Sequence, residues 1–242
     1  MEAKTLIVGA TSDLSISYLN SKKNKSKYVL LLRNLKKLKK SFFEDEFSDV
    51  IELDLSKLSV LNKTLSSESN NYNNLIFFNG IDVIKPIQFY STEELIKSFN
   101  INIISIFSII STLLKKKLII NNSSIVIVSS ISGNIIGSKG HSLYSTTKSA
   151  ISGLVKSFSI ELSKKNIRVN AILPGLIQTE NLFNKNEQLQ TAKEFEVYQS
   201  RYPLGLGKPK NINDLIDFLI SDKSSWITGQ NIIIDGGHTL LS

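Results

Sequence analysis

The sequence of 242 residues has no cysteine, a single tryptophan and only two histidines. Without cysteine, disulfide bonds and thiolate metal ligands are excluded. His141 and His238 are also too few imidazoles for a typical histidine-based metal site. We therefore predict no bound metal. Trp226 is expected in the core, His141 in a loop and His238 in a contact of the C-terminal tail.

Long apolar runs are lacking as well. The longest candidate, residues 101–114, is interrupted by Asn102 and by several serines and threonines. It falls short of the ~18 uninterrupted apolar residues that a membrane span needs. The apolar stretch that follows Lys4 ends at Gly9, which is too short for a signal peptide. We expect a cytoplasmic protein without a membrane partner.

Arginine is scarce although the net charge is +8, since only Arg33, Arg168 and Arg201 are present. Proteins that bind nucleic acid commonly use arginine to contact bases and phosphates. The lysines occur together with many asparagines and isoleucines, which is typical of genomic base bias. We expect no nucleic-acid partner, and a polyanion-binding surface is the least favoured alternative.

Short apolar segments alternate with longer helical patterns along the chain. Strands that are apolar throughout are buried on both faces, which indicates a parallel sheet covered by helices on both sides. We predict one α/β domain, residues 1–242, with a doubly wound, mostly parallel seven-stranded sheet of the Rossmann type. The predicted strands are Lys4–Val8, Tyr28–Leu32, Val50–Leu53, Leu75–Phe78, Ile125–Val128, Ile167–Leu173 and Asn231–Ile234. The predicted helices end near Leu19 and Ser69, surround Leu35 and Leu38, and cover Thr92–Leu118, Ser142–Lys164 and Asn211–Ile220, while residues 70–74 are predicted as a loop.

The turns after the first two strands bear on a cofactor. A dinucleotide-binding turn normally carries three glycines, and here only Gly9 remains, so Thr11 or Ser12 could equally cap an ordinary strand–helix turn. Arg33 follows the second strand, where NADP-selective folds place a base for the 2′-phosphate. Nine basic residues and no acidic one lie between positions 22 and 40. Most of these lysines fit a solvated face, but Arg33 predicts a preference for NADP(H) over NAD(H).

Tyr144 and Lys148 share one helix face at i, i+4 spacing. An ammonium ~5 Å from a phenol, at an effective dielectric of ~20, contributes roughly 3 kcal/mol, or about two pKa units. Such a shift would prepare the phenol for general acid–base work near neutral pH. The spacing alone is unspecific, because Tyr18 and Lys22 share it, and we interpret that second pair as accidental.

The sequence context separates the two pairs. Ser130 follows the predicted strand Ile125–Val128, and Tyr144 lies 14 residues later. The end of a parallel strand and the start of the next helix belong to the same edge of a sheet. Ser130 could then hydrogen-bond a carbonyl oxygen that Tyr144 protonates. Pro174 and Gly175 follow the sixth strand at the same edge.

Several motifs, in this order, resemble the short-chain dehydrogenase/reductases, in the branch typified by 3-oxoacyl-carrier-protein reductases. They are VSSISG at 128–133, YSTTK at 144–148, IRVNAILPGLIQT at 167–179, and ITGQ followed by DGG at 227–237. The resemblance runs from about Lys4 to Leu240. It implies reduction of a ketone to a secondary alcohol with NADPH, the leading substrate being a 3-oxoacyl thioester on a carrier protein.

The resemblance also implies roles for single residues. Ser130 would polarise the carbonyl group and Tyr144 would be the acid–base. Lys148 would bind the nicotinamide ribose and lower the pKa of Tyr144, and Asn102, with Asn100 as the alternative, would hold a water in a proton relay. The implied cofactor contacts are Gly9, Thr11, Ser12, Asp13, Leu14, Arg33, Asp54, Leu55, Asn79, Gly80, Tyr144, Lys148, Pro174, Gly175, Ile177 and Thr179. A homotetramer built on the two long helices and a substrate lid at about residues 180–202 are implied as well.

The chain departs from the family pattern at the cofactor. Asp13 and Ser15 stand where the family has later glycines, and the segment Phe77–Gly80 keeps only the last glycine of Asn-Asn-Ala-Gly. Because both departures affect the fit of the cofactor, a non-catalytic dinucleotide-binding regulator stays an alternative. A reductase or dehydrogenase of a sugar or polysaccharide precursor is the other.

Overall fold

The computed structural model describes residues 3–23, 27–37, 49–179, 196–197 and 199–241. In this part of the chain, seven strands form one sheet in the order β3-β2-β1-β4-β5-β6-β7, and every neighbouring pair is parallel. The strands are β1 (Lys4–Val8), β2 (Tyr28–Leu32), β3 (Asp49–Glu52), β4 (Tyr72–Phe77), β5 (Ile119–Val128), β6 (Arg168–Pro174) and β7 (Asn231–Ile234). The prediction of a doubly wound seven-stranded sheet is confirmed, and the sheet is parallel throughout.

Helices cover both faces of this sheet. They are α1 (Asp13–Asn20), α2 (Leu58–Ser66), α3 (Thr92–Phe99), α4 (Ser105–Lys115), α5 (Ser142–Leu162) and α6 (Pro209–Ile220). Strand β1 explains why the strands are apolar at every position. Its Leu6 and Val8 pack into one core cluster with α2, α4 and α5, while Ile7 packs into a second cluster with α1 and α6. Each such fully buried side chain contributes about 1.5–3 kcal/mol.

The chain reverses its direction of winding between β1 and β4. From β1 it proceeds outward to β2 and β3 and then returns to β4 on the other side of β1. Ligands of doubly wound sheets bind beyond the carboxyl ends of the strands at this switch point. Gly9, after β1, and Phe78, after β4, lie at the start of the crevice.

A π-helical turn, Asn100–Ile104, joins α3 to α4. The carbonyl of Ile101 accepts hydrogen bonds from the Ser105 hydroxyl at 2.8 Å and from Asn79 Nδ2 at 2.6 Å. These buried donors support the wider turn, a feature that is frequent at functional sites. By length and composition the combined helix Thr92–Lys115 could cross a membrane. We interpret it as a core helix, because the side chains along one face of α4 pack against the sheet.

Some predicted boundaries are wrong. β4 begins at Tyr72, inside the predicted loop, because the Tyr72 side chain is fully buried and its amide donates to Leu118 O. β5 begins six residues before the predicted Ile125 and passes through Asn122 with a positive φ of 64°. These segments were not predicted as strands because they contain polar side chains. Pairing with the neighbouring strands of the sheet stabilises them.

Trp226 was expected in the core, and this prediction is wrong. Its side chain is 98 % exposed, while the neighbouring Ile227 packs partly against the core. The predicted short helix around Leu35 is a single 3-10 turn, Leu35–Lys37, and Leu38 lies outside the described residues. Most of the predicted lid at about residues 180–202 also lies outside them, since 180–195 and 198 are not described.

Candidate active site

The start of α5 carries Tyr144 and Lys148 to the carboxyl edge of the sheet. The Lys148 Nζ lies 5.7 Å from the centre of the Tyr144 ring. Lys148 is almost completely buried, and its ammonium donates a hydrogen bond of 2.9 Å to Val128 O at the end of β5. The helix spacing therefore places the two groups together, as predicted, with the last carbonyl of β5 as a fixed anchor for the lysine.

Burial dominates the electrostatics of this pair. It raises the pKa of Tyr144 to about 12, with a further increase from the Asp82 carboxylate and a decrease from a hydrogen bond with Ser130. Burial lowers the pKa of Lys148 to about 8, and Asp82 partly opposes that change. The predicted lowering of the phenol pKa is wrong for the protein alone, because desolvation and the Asp82 charge outweigh the hydrogen bond with Ser130.

Ser130 is the member of this group that comes from the β5 side. It is buried directly after the strand, and its hydroxyl oxygen accepts the amide proton of Ser132 at 3.1 Å. Its hydrogen bond with Tyr144 places hydroxyl and phenol side by side. Two hydroxyl groups in this arrangement can hydrogen-bond the same carbonyl oxygen.

Asn102 lies in the π-helical turn and is fully buried. Its Oδ1 accepts from Ile81 N at 2.8 Å, and its Nδ2 donates to Ile81 O at 3.0 Å and to Thr147 Oγ1 at 2.9 Å. The amide thus ties the segment after β4 to α5, one residue before Lys148. The alternative, Asn100, donates to Ser56 O instead and does not join this group.

A cavity of about 220 Å³ opens at the switch point beside these residues. Eight of the predicted cofactor residues line it: Gly9, Thr11, Ser12, Arg33, Asp54, Leu55, Asn79 and Gly80. Seven further lining residues were not predicted: Leu31, Leu32, Asn34, Leu53, Phe78, Ile81 and Ile101. Most of the missed residues end a strand or directly follow one, which is the signal that could have identified them.

Two glycines allow segments of the chain to approach each other closely at this cavity. Gly9 has a φ of +78°, and a Cβ there would lie 2.7 Å from Asn79 N. A Cβ at Gly80 would lie 3.2 Å from Lys148 Nζ. These close approaches give the shape that a dinucleotide needs where its phosphates and nicotinamide ribose pass the chain.

The charged groups of the cavity suit the adenosine half of such a ligand. Arg33 and Asn34 follow β2, and Asp54 follows β3. Burial raises the pKa of Asp54, but hydrogen bonds from Ser56 and the charges of Arg33 and Lys57 outweigh it and keep the carboxyl ionised. The residues present therefore fit a nicotinamide dinucleotide.

The turn after β1 keeps a normal helix start despite its lost glycines. The Ser12 hydroxyl caps α1 by accepting from Ser15 N at 3.2 Å. Ser15 is fully buried, and its own hydroxyl has no hydrogen-bond partner among the described residues. Asp13 and Leu14 form the first turn of α1 and do not line the cavity.

The residues predicted after β6 lie apart from this cavity. Gly175 packs closely against Tyr202, because a Cβ there would lie 2.9 Å from the ring. Tyr202 in turn accepts from Leu176 N at 3.1 Å and stacks on His238 at 4.3 Å. Pro174, Ile177 and Thr179 also do not line the cavity and continue toward the undescribed residues.

The second tyrosine–lysine pair serves a different purpose. Tyr18 is fully buried and donates to Asp217 of α6 at 3.0 Å, and Lys22 forms an ion pair of 2.5 Å with the same carboxylate. Burial, with the neighbouring Tyr28 and Asp217, raises the pKa of Tyr18 far above its ordinary value. This pair joins α1 and the residues that follow it to α6.

Comparison with known proteins agrees with this geometry. A sequence model of the family described as enoyl-(acyl carrier protein) reductase matches residues 30–239. This chain belongs to the short-chain dehydrogenase/reductase family. It is therefore an oxidoreductase of the class that acts on CH–OH and C=O groups with a nicotinamide dinucleotide.

Named relatives of this dehydrogenase/reductase come from plants and bacteria. A tropinone reductase homolog of Arabidopsis thaliana is 38 % identical over 183 residues, which cover 75 % of this chain and 67 % of that protein. The 3-oxoacyl-[acyl-carrier-protein] reductase FabG of Thermotoga maritima is 41 % identical over 139 residues, covering 57 % of this chain and 54 % of FabG. The matched segments thus span about half to two thirds of these relatives.

A solved structure extends the likeness to nearly the whole chain. A 4-hydroxyisoleucine dehydrogenase complexed with NADH superimposes with a TM-score of 0.84 and 28 % identity. The superposition covers 98 % of this chain and 99 % of that protein. The similarity supports a dinucleotide cofactor and leaves the choice between NAD and NADP to the residues of this chain.

Proposed function

We propose that this protein reduces a ketone to a secondary alcohol with NADPH, Tyr144 being the general acid. The observation that carries the proposal is the group formed by Ser130, Tyr144 and Lys148 beside the cavity at the switch point. When bound, the reduced nicotinamide would supply the hydride. Ser130 would hold the carbonyl oxygen by a hydrogen bond, and Tyr144 would donate its phenolic proton to that oxygen.

The protonation states of the site suit this direction. With a pKa of about 12 for Tyr144, the phenol keeps its proton at neutral pH and can act as an acid. Lys148, with a pKa of about 8, is mostly charged at pH 7 and can hydrogen-bond ribose hydroxyls. Asn102 would support both groups by holding Ile81 and Thr147 in place.

A preference for NADP(H) rests on Arg33. Arg33 lines the cavity after β2, where NADP-selective folds place a base for the 2′-phosphate, with Asn34 as its neighbour. The Asp54 carboxylate follows β3 and not β2, the strand after which NAD-selective folds place their acid. Titration of the protein with NADPH and with NADH, followed by nicotinamide fluorescence, tests the preference directly.

For the substrate, we propose a 3-oxoacyl thioester on a carrier protein. The FabG relative is a 3-oxoacyl-[acyl-carrier-protein] reductase, and the net charge of +8 favours association with an acidic carrier protein. The alternative is a sugar or polysaccharide precursor. A panel that contains 3-oxoacyl thioesters, keto sugars and simple ketones separates these classes by kcat/KM.

A non-catalytic regulator remains the second candidate function. The specific observation in its favour is the buried, unpartnered hydroxyl of Ser15 in the turn that lost its glycines. This candidate expects dinucleotide binding without turnover on any member of the panel. Turnover that disappears in Tyr144→Phe would exclude it.

We further propose a homotetramer in the cytoplasm, assembled through the two long helices. Ile104 and Phe107 in the π-helical turn and α4, and Ile160 on α5, expose apolar side chains to solvent. Exposed apolar patches of this kind mark interfaces between proteins. Isologous pairing of both helices would give the 222 symmetry common among soluble tetramers.

A further inference from the structure

Asp82 and His141 form a contact directly beside the proposed acid. The Asp82 Oδ2 lies 3.5 Å from His141 Nε2. The His141 ring meets the Tyr144 ring edge-on, with 6.3 Å between the ring centres. His141 lies in the loop before α5, as predicted, whereas Asp82 belongs to the segment after β4 and had no assigned role. Neither residue belongs to the group of Ser130, Tyr144 and Lys148.

The two segments that carry this contact are fixed to one another. The carbonyl of Gly140 accepts from Lys85 N at 3.1 Å and from the Tyr90 hydroxyl at 2.8 Å. Lys85 also forms an ion pair of 2.6 Å with Glu94 of α3. Gly140 has a φ of +80°, and a Cβ there would lie 3.1 Å from a methyl group of Ile84. The contact between Asp82 and His141 therefore lies between two chain segments that these hydrogen bonds hold together.

The contacts of the His141 ring orient the Asp82 carboxylate. His141 Nδ1 lies 3.2 Å from Lys139 O, and Nε2 faces the Asp82 carboxylate, so both ring nitrogens face acceptors. The other carboxylate oxygen, Asp82 Oδ1, is buried and has no hydrogen-bond partner among the described residues. Its negative charge is thus poorly screened from its neighbours.

The groups that face Tyr144 come from three elements: Asp82 after β4, Ser130 after β5, and His141 and Lys148 at α5. The Asp82 carboxylate raises the pKa of Tyr144, after the larger effect of burial. It also raises the pKa of Lys148, against the larger opposite effect of burial. The pKa of each group is therefore higher with Asp82 present than burial alone would make it.

We propose that Asp82, oriented by His141, is a positioning residue for the protons of the Tyr144–Lys148 pair. Asp82 keeps the phenol protonated and the ammonium charged, which adapts the site to reduction. His141 holds the carboxylate in place through the contact between its Nε2 and Asp82 Oδ2. The benefit to reduction rests on the proposed function, whereas the effect on the protons does not.

The test replaces the carboxylate by an amide of the same shape, Asp82→Asn. The Lys148 titration is followed in cofactor-free protein by 13C NMR of the lysine ε-carbons, and Lys148→Met identifies its resonance. We expect the midpoint of Lys148 to fall from about 8 by about one pH unit. The matched control Glu94→Gln removes a carboxylate from the same interface and should leave that midpoint unchanged.

An unchanged midpoint in Asp82→Asn, or an equal shift in the control, overturns the proposal. The measurement needs neither substrate nor cofactor, so it decides the point even if the protein reduces no ketone. Conversely, a protein with the expected shift and no turnover would contradict the proposed function alone.

A second variant, His141→Gln, covers the case in which Asp82→Asn does not fold. It keeps a donor for Asp82 but cannot ionise. We expect the Lys148 midpoint in the same NMR titration to stay near the wild-type value in this variant and to fall in His141→Ala, which removes the donor that orients Asp82. An unchanged Lys148 midpoint in His141→Ala would overturn the proposal.

Discussion

At the scale of single residues, two tyrosine–lysine pairs with the same spacing have opposite chemical properties. In the first, Asp217 neutralises Lys22 and accepts a hydrogen bond from the Tyr18 hydroxyl. In the second, Lys148 donates to the neutral carbonyl of Val128, and its charge stays available next to Tyr144. The partner of the lysine therefore distinguishes the pair that joins two helices from the pair for which we propose a chemical role.

Replacing each phenol by phenylalanine separates these roles. We expect Tyr144→Phe to lower kcat for ketone reduction by about 10²–10⁴-fold, because the general acid is lost. Tyr18→Phe should keep its activity and lose about 1 kcal/mol of stability with its buried hydrogen bond to Asp217. Steady-state kinetics and urea unfolding of both variants check this. Full turnover in Tyr144→Phe contradicts the proposed mechanism.

Arg33 gives a prediction about cofactor choice. Loss of a charge-assisted hydrogen bond to the 2′-phosphate should weaken NADPH binding about 10–100-fold in Arg33→Ala. NADH binding should change little, since NADH has no 2′-phosphate. Lys36→Ala removes an exposed cation three residues later and is the matched control. Equal losses for NADPH and NADH would contradict the assignment of Arg33.

Lys148 should make stability depend on pH. Its pKa is lowered from the model-compound value of 10.5 to about 8 by burial, so the unfolded chain binds more protons between these pH values. The cost of burying the charged form is fully present below about pH 8 and is relieved as the pH rises toward 10.5. We expect Lys148→Met to be more stable than the wild type at pH 7, by at most about 3 kcal/mol. Urea unfolding at pH 7 and pH 9.5 should show the difference shrinking; a constant difference would exclude this origin.

At the scale of elements, the π-helical turn depends on a side chain from another strand. Asn79, directly after β4, donates to the Ile101 carbonyl inside that turn. Asn79→Ala should lower the free energy of unfolding by about 1–3 kcal/mol, because it removes one of the two side-chain donors to the buried Ile101 carbonyl. The Ser105 hydroxyl is then the remaining side-chain donor. It should also lower kcat, since the same turn carries Asn102. Asn74→Ala, which removes a bond of 3.4 Å, is the control and should cost less.

The elements also show what the sequence could predict. The order of strands and helices and the group of Ser130, Tyr144 and Lys148 followed from apolar periodicity and spacing. The π-helical turn did not, because it depends on a hydrogen bond from Asn79 that no local pattern reveals. Asp82 was missed for a similar reason: it lies beside His141, 59 positions later in the chain, and no local pattern reveals that contact. The predicted shift in the pKa of Tyr144 was wrong in direction, because sequence spacing indicates a neighbouring charge but not the burial of the phenol.

At the scale of the whole molecule, the exposed apolar side chains bear on assembly. We expect light scattering to give about four times the chain mass of 27.0 kDa. Ile160, on α5, is 77 % exposed, so Ile160→Asp should leave the fold intact while burying a charge in any helix-mediated interface. Ile160→Asp should dissociate into smaller species, whereas Ile160→Ala, which adds no charge, should keep more of the wild-type assembly. A monomeric wild type would refute the tetramer.

The strand order has a consequence for how such a molecule can diversify. The residues that line the switch-point cavity come from β1 to β4 and from the π-helical turn, whereas the proposed reacting groups follow β5 and begin α5. The two sets meet where Gly80 approaches Lys148. The choice of cofactor thus depends on residues of the first half of the chain, and the choice of substrate depends on residues of the second half. A hybrid gene joined after β4 should inherit its nucleotide preference from the first parent and its range of ketones from the second.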